Sequence, residues 1–476
     1  MRSTHRLGLL AAALAGLAQL TGCAAGPDYQ RPAADLPVAW TPEAPWRTGA
    51  PADGADKGDW WRAFGDPQLD ALEARAMADS PTLAIAAARL AQARATVTAT
   101  SAGLFPSLSL GSRDQRLRIS ANRPLANYSS PNFSTVQNDF TLNASASYEV
   151  DLAGRVRRSV EGAKASAAQS AADLANTRLV VGAELASDWF SLVTLDASLD
   201  VLARSIALQR KALDFVSNRH ELGAGTGLEV AQQQALLDNT LTQVDVLGRQ
   251  RAQFEHAIAT LVGAPAPSFS IAPVTRSLQP PAIALGVPSD LLQRRPDVAA
   301  AERAMAAANA QIGVASAAFY PSVTLAPGIG EESRILGALF DAPSLVWSIG
   351  VSATQTLFDA GRTRANVDFA RAGYDASVAS YRRTVLVAMQ EVEDGITGVA
   401  ALDRAVTQAQ RAADSSQRVL DMAQARYEGG VSTYLDVITA QQTLLSAQLQ
   451  AAQLAGQRQL AATALVKALG GGWQPS

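Results

Sequence analysis

The stretch RYEGGVSTYLDV, residues 426–437, interrupts a segment that reads as helix and has no proline between Pro343 and Pro475. A related stretch, RHELGAGTGLEV, occupies residues 219–230, 207 positions earlier. Both keep an arginine, a glutamate, a glycine and a Leu–acid–Val triplet in the same order. The chain is therefore interpreted as two repeats. Each glycine-containing break is predicted to be the turn between two long helices.

The composition restricts the classes of function. The chain has 476 residues, with 43 acidic and 40 basic side chains and a formal net charge of −3. This balance offers no basic surface, so nucleic-acid binding is not expected. Histidine occurs only at positions 5, 220 and 256. A histidine-based metal site or catalytic triad is therefore not expected, and we predict a non-enzyme without a cofactor.

Residues 1–22 have the pattern of a secretory signal peptide. Arg2 and Arg6 precede the apolar run from Leu7 to Leu20, which is too short to span a bilayer. The run meets LTGC, which ends at Cys23, the single cysteine of the chain. LTGC matches the bacterial lipobox, which predicts that Cys23 is the lipidated first residue of the mature chain. The alternative is that Cys23 is a buried small hydrophobic residue or a free thiol. Ala24, in place of an aspartate, resembles the outer-membrane sorting pattern.

Proline-rich stretches separate the predicted segments. Pro81 and Pro296 lie 215 residues apart, and so do Pro106 and Pro321. Each repeat is predicted to contain a helix, two strands, a long helix, a break and a further helix. The order is signal peptide, arm, first repeat, linker, second repeat and tail, at residues 1–22, 23–65, 66–262, 263–295, 296–470 and 471–476.

Two strands are predicted in each repeat from alternating hydrophobicity. Between Phe140 and Asp151, apolar or small residues at even positions alternate with polar residues at odd positions. Such strands fit a soluble sandwich with one wet face. Their length also fits the roughly 9–11 residues with which a strand crosses a bilayer obliquely. The predicted strands lie at about 104–113, 138–151, 319–328 and 345–356.

The helical segments are unusually long. Residues 155–219 contain no proline, which gives about 100 Å of helix at 1.5 Å per residue. Two apolar stripes run along this segment, one through Trp189 and one through Phe190. Two stripes predict a neighbour on each side, as in a wall or cylinder of helices. The predicted long helices lie at about 155–220, 228–262, 361–428 and 435–468.

If the mature chain crosses a membrane, the strands are the segments that cross it. After the signal peptide no apolar run reaches the roughly 18 residues of a spanning helix. Four strands cannot close in lipid, so several chains must contribute strands. Two, three or four copies would give eight, twelve or sixteen strands, and the residues alone leave this number open. The long helices would continue the same cylinder, with the glycine breaks as its tips.

A set of motifs resembles the TolC/OprM-type outer-membrane efflux lipoproteins, the NodT-like outer membrane factors. The resemblance covers essentially the whole mature chain, with one departure at Ala153, where relatives commonly have tryptophan. In order, the motifs are LTGC (20–23), GPDYQRP (26–32), WWRAFGDPQLDAL (60–72), YEVDLAGRVR (148–157), VPSDLLQRRPDVAAAER (287–303), FYPSVTL (319–325), LFDAGRTRA (357–365) and ARYEGGVSTYLDV (425–437).

The resemblance implies a mainly α fold with a small β part and duplicated halves, assembled as a homotrimer. Its twelve-stranded barrel would lie in the outer membrane and continue as a twelve-helix periplasmic barrel. It implies a passive exit duct for drugs or other toxic small molecules. The partners would be a periplasmic adaptor, an inner-membrane pump of the RND type and outer-membrane lipid through acylated Cys23. Type I protein secretion is one alternative, and a periplasm-spanning structural coiled-coil lipoprotein is another.

The resemblance also implies that the second helical hairpin closes the periplasmic end. Leu435 matches an apolar constriction, Asp436 matches a ring of acids, and Thr439 stands where relatives often have another aspartate. Carboxylates around one axis repel each other and can bind a cation, so closure needs holding groups. An acid that only favours the helix N-terminus is the alternative for Asp436 and for its counterpart Glu229. The candidate holding groups are Tyr427, Arg426, Ser432 and Thr433, and the remaining first-repeat counterparts are Leu228 and Gln232.

Overall fold

The computed structural model describes residues 24–30, 59–120, 135–274, 279–281 and 295–471. The chain forms two compact units, and each unit combines segments of both repeats. The sheet unit comprises Met1–Pro32, Ala91–Gln169 and Ala301–Ser380, and the helical unit comprises Ala33–Leu90, Ser170–Ala300 and Tyr381–Ser476. Cys23, the signal peptide and most of the proline-rich arm lie outside the described residues.

Four strands form one antiparallel sheet in the order β1-β2-β3-β4. The cross-strand partners include Ser107 with Ser147 and Tyr148 with Leu325. Because each strand pairs with its neighbour in sequence, the two repeats join through β2 and β3. The strands are β1 (Ser107–Ile119), β2 (Thr135–Val150), β3 (Ser322–Ser333) and β4 (Leu345–Thr354).

The ends of the strands differ from the sequence prediction. β1 continues to Ile119, beyond the predicted end at 113, although its apolar alternation stops at Leu110. Backbone pairing with β2 extends β1 to Ile119, and the Gln115 side-chain amide donates a 2.7 Å hydrogen bond to the Asp139 carboxylate. β3 and β1 begin later than predicted because short 3-10 or turn segments precede them. β2 begins at 135 in place of 138, β3 ends at 333 in place of 328, and β4 ends at 354 in place of 356.

Seven α-helices lie in the described ranges. The long helices keep the 207-residue offset at both ends: α3 and α6 each have 67 residues, and α4 and α7 each have 35. No proline interrupts them. The helices are α1 (Pro67–Asp79), α2 (Pro81–Ser101), α3 (Arg155–Glu221), α4 (Gly227–Leu261), α5 (Pro296–Ala317), α6 (Arg362–Glu428) and α7 (Tyr434–Ala468).

The two apolar stripes of α3 supply much of the core of the helical unit. Trp189 and Phe190, one from each stripe, are both buried. The Trp189 indole donates a 2.8 Å hydrogen bond to Asp66, whose other oxygen accepts from the first backbone amides of α1. At Gly456 of α7, an added Cβ would lie only 2.0 Å from the Thr194 hydroxyl. Glycine is therefore required for this close approach of α7 to α3.

A carboxyl group is enclosed between α1 and α3. Glu73 is 0% exposed, and among the described residues neither of its oxygens has a hydrogen-bond partner. The space for it comes from Gly182, where an added Cβ would lie 3.1 Å from Glu73 Oε2. Burial, with a smaller contribution from the Asp70 charge, raises the pKa of Glu73 to about 9. The group is therefore protonated at neutral pH.

Among the described residues, no α-helix combines the length and the apolar character that crossing a bilayer requires.

Candidate functional site

The second interhelical turn explains the glycines of RYEGGVSTYLDV. Helix α6 ends at Glu428, and Gly430 adopts a φ of 72°. The Gly430 amide donates to the Tyr427 carbonyl, and the Val431 amide donates to the Arg426 carbonyl, both at 3.0 Å. These two bonds form a Schellman motif, which satisfies the last carbonyls of the helix and requires a left-handed residue. Glycine adopts that conformation without the steric cost of a Cβ.

The first turn, between α3 and α4, has the same construction. Gly223 has a φ of 74°, and its amide donates a 2.9 Å bond to the His220 carbonyl. The Ala224 amide donates to the Arg219 carbonyl at 2.8 Å. The two breaks are therefore equivalent hairpin tips, which we call tip 1 (residues 219–230) and tip 2 (residues 426–437).

Each tip restarts its helix with a capping box. In tip 1, Thr226 and Glu229 bond each other's backbone amides at 3.2–3.3 Å. In tip 2, the Thr433 amide and hydroxyl both donate to Asp436 Oδ2 at 3.3 Å. Each acid therefore stabilises the first turn of its helix. This local role is compatible with a further role of the exposed Asp436 carboxylate.

Below the tips, residues of both hairpins share one apolar cluster. Tyr427 and Tyr434 of tip 2 are both buried in it, and their ring centroids lie 5.0 Å apart. The first hairpin contributes Val216 and Leu236, so the cluster joins the two hairpins. Its other buried members are Leu420, Val437, Ile438, Ala440 and Leu444.

A buried chain of hydrogen bonds crosses this cluster. The Tyr434 hydroxyl donates a 2.7 Å bond to Gln233 Oε1, and the Gln233 amide donates a 3.1 Å bond to the Gln209 carbonyl. Burial raises the pKa of Tyr434, and the nearby Tyr427 and Glu229 raise it further. Tyr434 therefore remains a neutral donor over the physiological pH range. The bond links α7 to α4, and through Gln209 it links α7 to α3.

Arg219 of tip 1 packs on aromatic rings from both hairpins. Its guanidinium carbon lies 5.0 Å from the Tyr427 ring centroid and 5.9 Å from that of Phe215. Its Nη2 donates a 2.9 Å bond to the Ala224 carbonyl, which orients the side chain. The pKa of Tyr427 is raised first by burial and then by the Glu229 charge, while Arg219 acts in the opposite direction. Glu229 and Arg219 thus form opposite charges around the Tyr427 phenol.

The residues predicted for the gate separate into two groups. Tyr427 and Glu229 lie with Tyr434, Gln233 and Arg219 in the contact between the hairpins. Most of the other predicted gate residues are exposed, and among them Thr439 donates a 2.8 Å bond to the Leu435 carbonyl. The exposed residues are Arg426, Thr433, Leu435, Asp436 and Thr439, with the counterpart Leu228, whereas Ser432 and Gln232 are half-buried.

Sequence reasoning did not assign four residues of the contact to the gate, namely Arg219, Gln233, Phe215 and Tyr434. The arginine that packs on Tyr427 is not its neighbour Arg426 but the counterpart Arg219 in the first repeat. Comparing the repeats position by position could have indicated the others, because Tyr434 replaces Gly227 and Ala440 replaces Gln233. Phe215 lies on the apolar stripe that runs through Phe190, yet it is 44% exposed, and its ring packs edge-on with its centroid 6.5 Å from that of Tyr427.

In the part of the chain that the structure describes, no group of three or more potential ligands is placed to hold a metal ion.

Comparison with known proteins identifies the family. The family model described as Outer membrane efflux protein matches residues 72–264 and 287–471, which include both tips. The pyoverdine export outer membrane protein OpmQ of Pseudomonas putida is 34% identical over 439 residues, with 91% of this chain and 92% of OpmQ covered. The toluene efflux pump outer membrane protein TtgF of Pseudomonas putida is 31% identical over 462 residues, with 95% of each chain covered.

Among solved structures, the outer-membrane channel OprN superposes with a TM-score of 0.87 at 28% identity, with 95% of this chain and 100% of OprN covered. On this match of sequence and fold, the chain belongs to the outer membrane efflux protein family.

Proposed function

We propose that this outer membrane efflux protein is the passive exit duct of a tripartite pump and that it acts as a homotrimer. The observation that carries the proposal is the four-stranded sheet with free edges. Within the described residues, β1 and β4 each pair on one side only. Free edges are not tolerated in lipid, so strands of further copies must complete the sheet. Three copies would close a twelve-stranded barrel.

The side chains of β4 support a membrane position for this sheet. Trp347, Ile349 and Val351 follow one another on one face and are strongly exposed in the single chain. Ser348 and Ser352 occupy the opposite face. An apolar face against lipid and a polar face against a water-filled lumen is the pattern of membrane barrel strands.

The tips are proposed as the periplasmic gate. The closed state would be held by the Tyr434–Gln233 hydrogen bond and by the packing of Arg219 on Tyr427. The exposed residues Leu435, Asp436 and Thr439 would face the axis, where three symmetry-related Asp436 carboxylates would attract a cation. Movement of tip 2 away from tip 1 would open the duct.

A passive duct needs an external energy source for active transport. We propose a periplasmic adaptor and an inner-membrane pump of the RND type as its partners. The proposed cargo is small molecules, since OpmQ is named for pyoverdine export and TtgF for toluene efflux. Type I protein secretion is the second candidate, to be separated by assay.

Lipidation of Cys23 would anchor the mature chain to the outer membrane. The residues that follow it are fixed within the sheet unit: Arg158 donates a 2.8 Å bond to Asp28, and Asn309 donates a 2.9 Å bond to the Pro27 carbonyl. The acyl chains would therefore start beside the first turns of α3. Cys23→Ser is expected to abolish acylation, which the intact mass of the mature protein measures directly.

The duct function is tested in three assays. Native mass spectrometry of the purified protein should give a trimer, and planar bilayers containing it should show discrete ion conductance. In a deletion strain, sensitivity to small toxic compounds should rise and be restored by the gene. A monomer without conductance would contradict the proposal, and loss of a secreted protein without a change in sensitivity would favour type I secretion.

A further inference from the structure

Two arginine–aspartate pairs recur at the same 207-residue offset in the helical unit. Arg251 Nε lies 2.5 Å from Asp196 Oδ1, and Arg458 Nη1 lies 2.9 Å from Asp403 Oδ1. The first pair joins α4 to α3, and the second joins α7 to α6. Duplication has therefore kept one ion pair inside each hairpin.

Both arginines also hold the linker between the repeats. Arg251 Nη2 donates a 2.8 Å bond to the Ile271 carbonyl, and Asp196 accepts a 2.9 Å bond from the Val274 amide. Arg458 Nη2 donates a 2.8 Å bond to the Gln279 side-chain oxygen. The linker thus contacts the first hairpin at 271–274 and the second hairpin at 279.

The two attachments differ in strength. The Asp196 side chain is 2% exposed, and Arg251 uses all three of its nitrogens, one of them on Glu255 at 2.9 Å. The Asp403 side chain is 60% exposed, and Arg458 Nε is buried without an acceptor among the described residues. The second hairpin lacks an acceptor equivalent to Glu255, because Ala462 occupies that position. A water-exposed carboxylate contributes much less than an enclosed one.

We propose that the two pairs are positioning residues that fasten the linker to both hairpins, and that the Arg458–Gln279 attachment releases when the second hairpin moves. The inference rests on the proposed gating movement of tip 2. It makes the linker a tether, permanent on the first hairpin and reversible on the second. Breaking the reversible attachment favours the open duct, and strengthening it favours the closed one.

The test uses Gln279, because its side chain contributes only to the linker side of the attachment. Gln279→Ala removes the bond and leaves the Asp403–Arg458 pair in place. Gln279→Glu puts a carboxylate opposite Arg458 and strengthens the bond. In planar bilayers with the full-length protein, we expect the open fraction to rise about tenfold for Gln279→Ala and to fall for Gln279→Glu.

Two further measurements separate the possible failures. A double-mutant cycle of Gln279→Ala and Arg458→Ala on the unfolding temperature reports the contact itself, without reference to gating. If this cycle shows coupling but both Gln279 variants conduct like the parent, the attachment is structural only and the proposal is wrong. If Tyr434→Phe at tip 2 also leaves conductance unchanged, the proposed gate fails as well. Absence of coupling in the cycle would overturn the tether on its own.

Discussion

The Tyr434 hydroxyl donates a 2.7 Å hydrogen bond to Oε1 of Gln233, which lies 201 residues earlier in the other repeat. Both residues are buried, and Gln233 in turn donates to the Gln209 carbonyl. The bond therefore joins the last long helix to the first hairpin at a place that water does not reach. The equivalent positions of the opposite repeat hold Gly227 and Ala440, so this bond has no counterpart there.

Tyr434→Phe keeps the ring and removes only this donor. It leaves Gln233 Oε1 buried without a partner, which costs about 1–3 kcal/mol. We expect tip 2 to separate from tip 1 more often, which planar-bilayer recordings would register as a larger open fraction. The matched control is Tyr427→Phe, which removes a hydroxyl from the same cluster and leaves the Tyr434–Gln233 bond in place. Equal effects of both variants would contradict a specific role of the Tyr434 bond.

Arg219 and Arg426 provide a second matched pair, since they occupy the same position of the two tips. Arg219→Ala removes the guanidinium from the Tyr427 and Phe215 rings, at a cost of about 0.5–2 kcal/mol. Arg426 is exposed, so Arg426→Ala should have a smaller effect. The unfolding temperature and the open fraction are both expected to change for Arg219→Ala. The reverse order of effects would show that Arg426 holds the tip.

Asp436 has a capping role and a proposed gating role, and two substitutions separate them. Asp436→Ala removes the capping box and the charge, whereas Asp436→Asn keeps an acceptor for the Thr433 amide. If a ring of carboxylates binds cations at the axis, both variants should lose the inhibition of conductance by added divalent cations. If Asp436→Asn keeps that inhibition, the acid serves only as a cap.

Glu73 predicts how stability depends on pH. Its pKa in the folded protein is about 9, above the ordinary value of 4.5, so between these pH values the folded state binds a proton that the unfolded state has lost. Stability is therefore expected to fall as pH rises through this window. Glu73→Gln cannot ionise, so at pH 8 its free energy of unfolding should exceed that of the parent by about 1–3 kcal/mol, and at pH 4 this difference should disappear. Thermal unfolding at the two pH values measures it. A pH profile of Glu73→Gln that matches the profile of the parent would refute the assignment.

Much of the fold follows from patterns that lie close together along the chain. Helix lengths could be read from the absence of proline and from the two glycine turns, because these residues act on their own backbone. Strand ends were less predictable. β1 extends through Arg116 and Arg118 because β2 lies beside it and supplies backbone partners. A partner distant in sequence leaves no periodic signal in the strand that it extends.

The tips also combine features that nearby residues determine with features that depend on partners distant in sequence. The sequence by itself determined that two equivalent turns exist, since a Schellman motif and a capping box need only residues within one tip. Only the tertiary structure decided that the guanidinium of Arg219, and not that of Arg426, packs on the Tyr427 ring. It also decided that Gln233 accepts the hydrogen bond of the Tyr434 hydroxyl. The physical reason is that these contacts depend on how two long helices are rotated against each other. That rotation is set by the packing of the whole buried interface, which no single stretch of sequence contains.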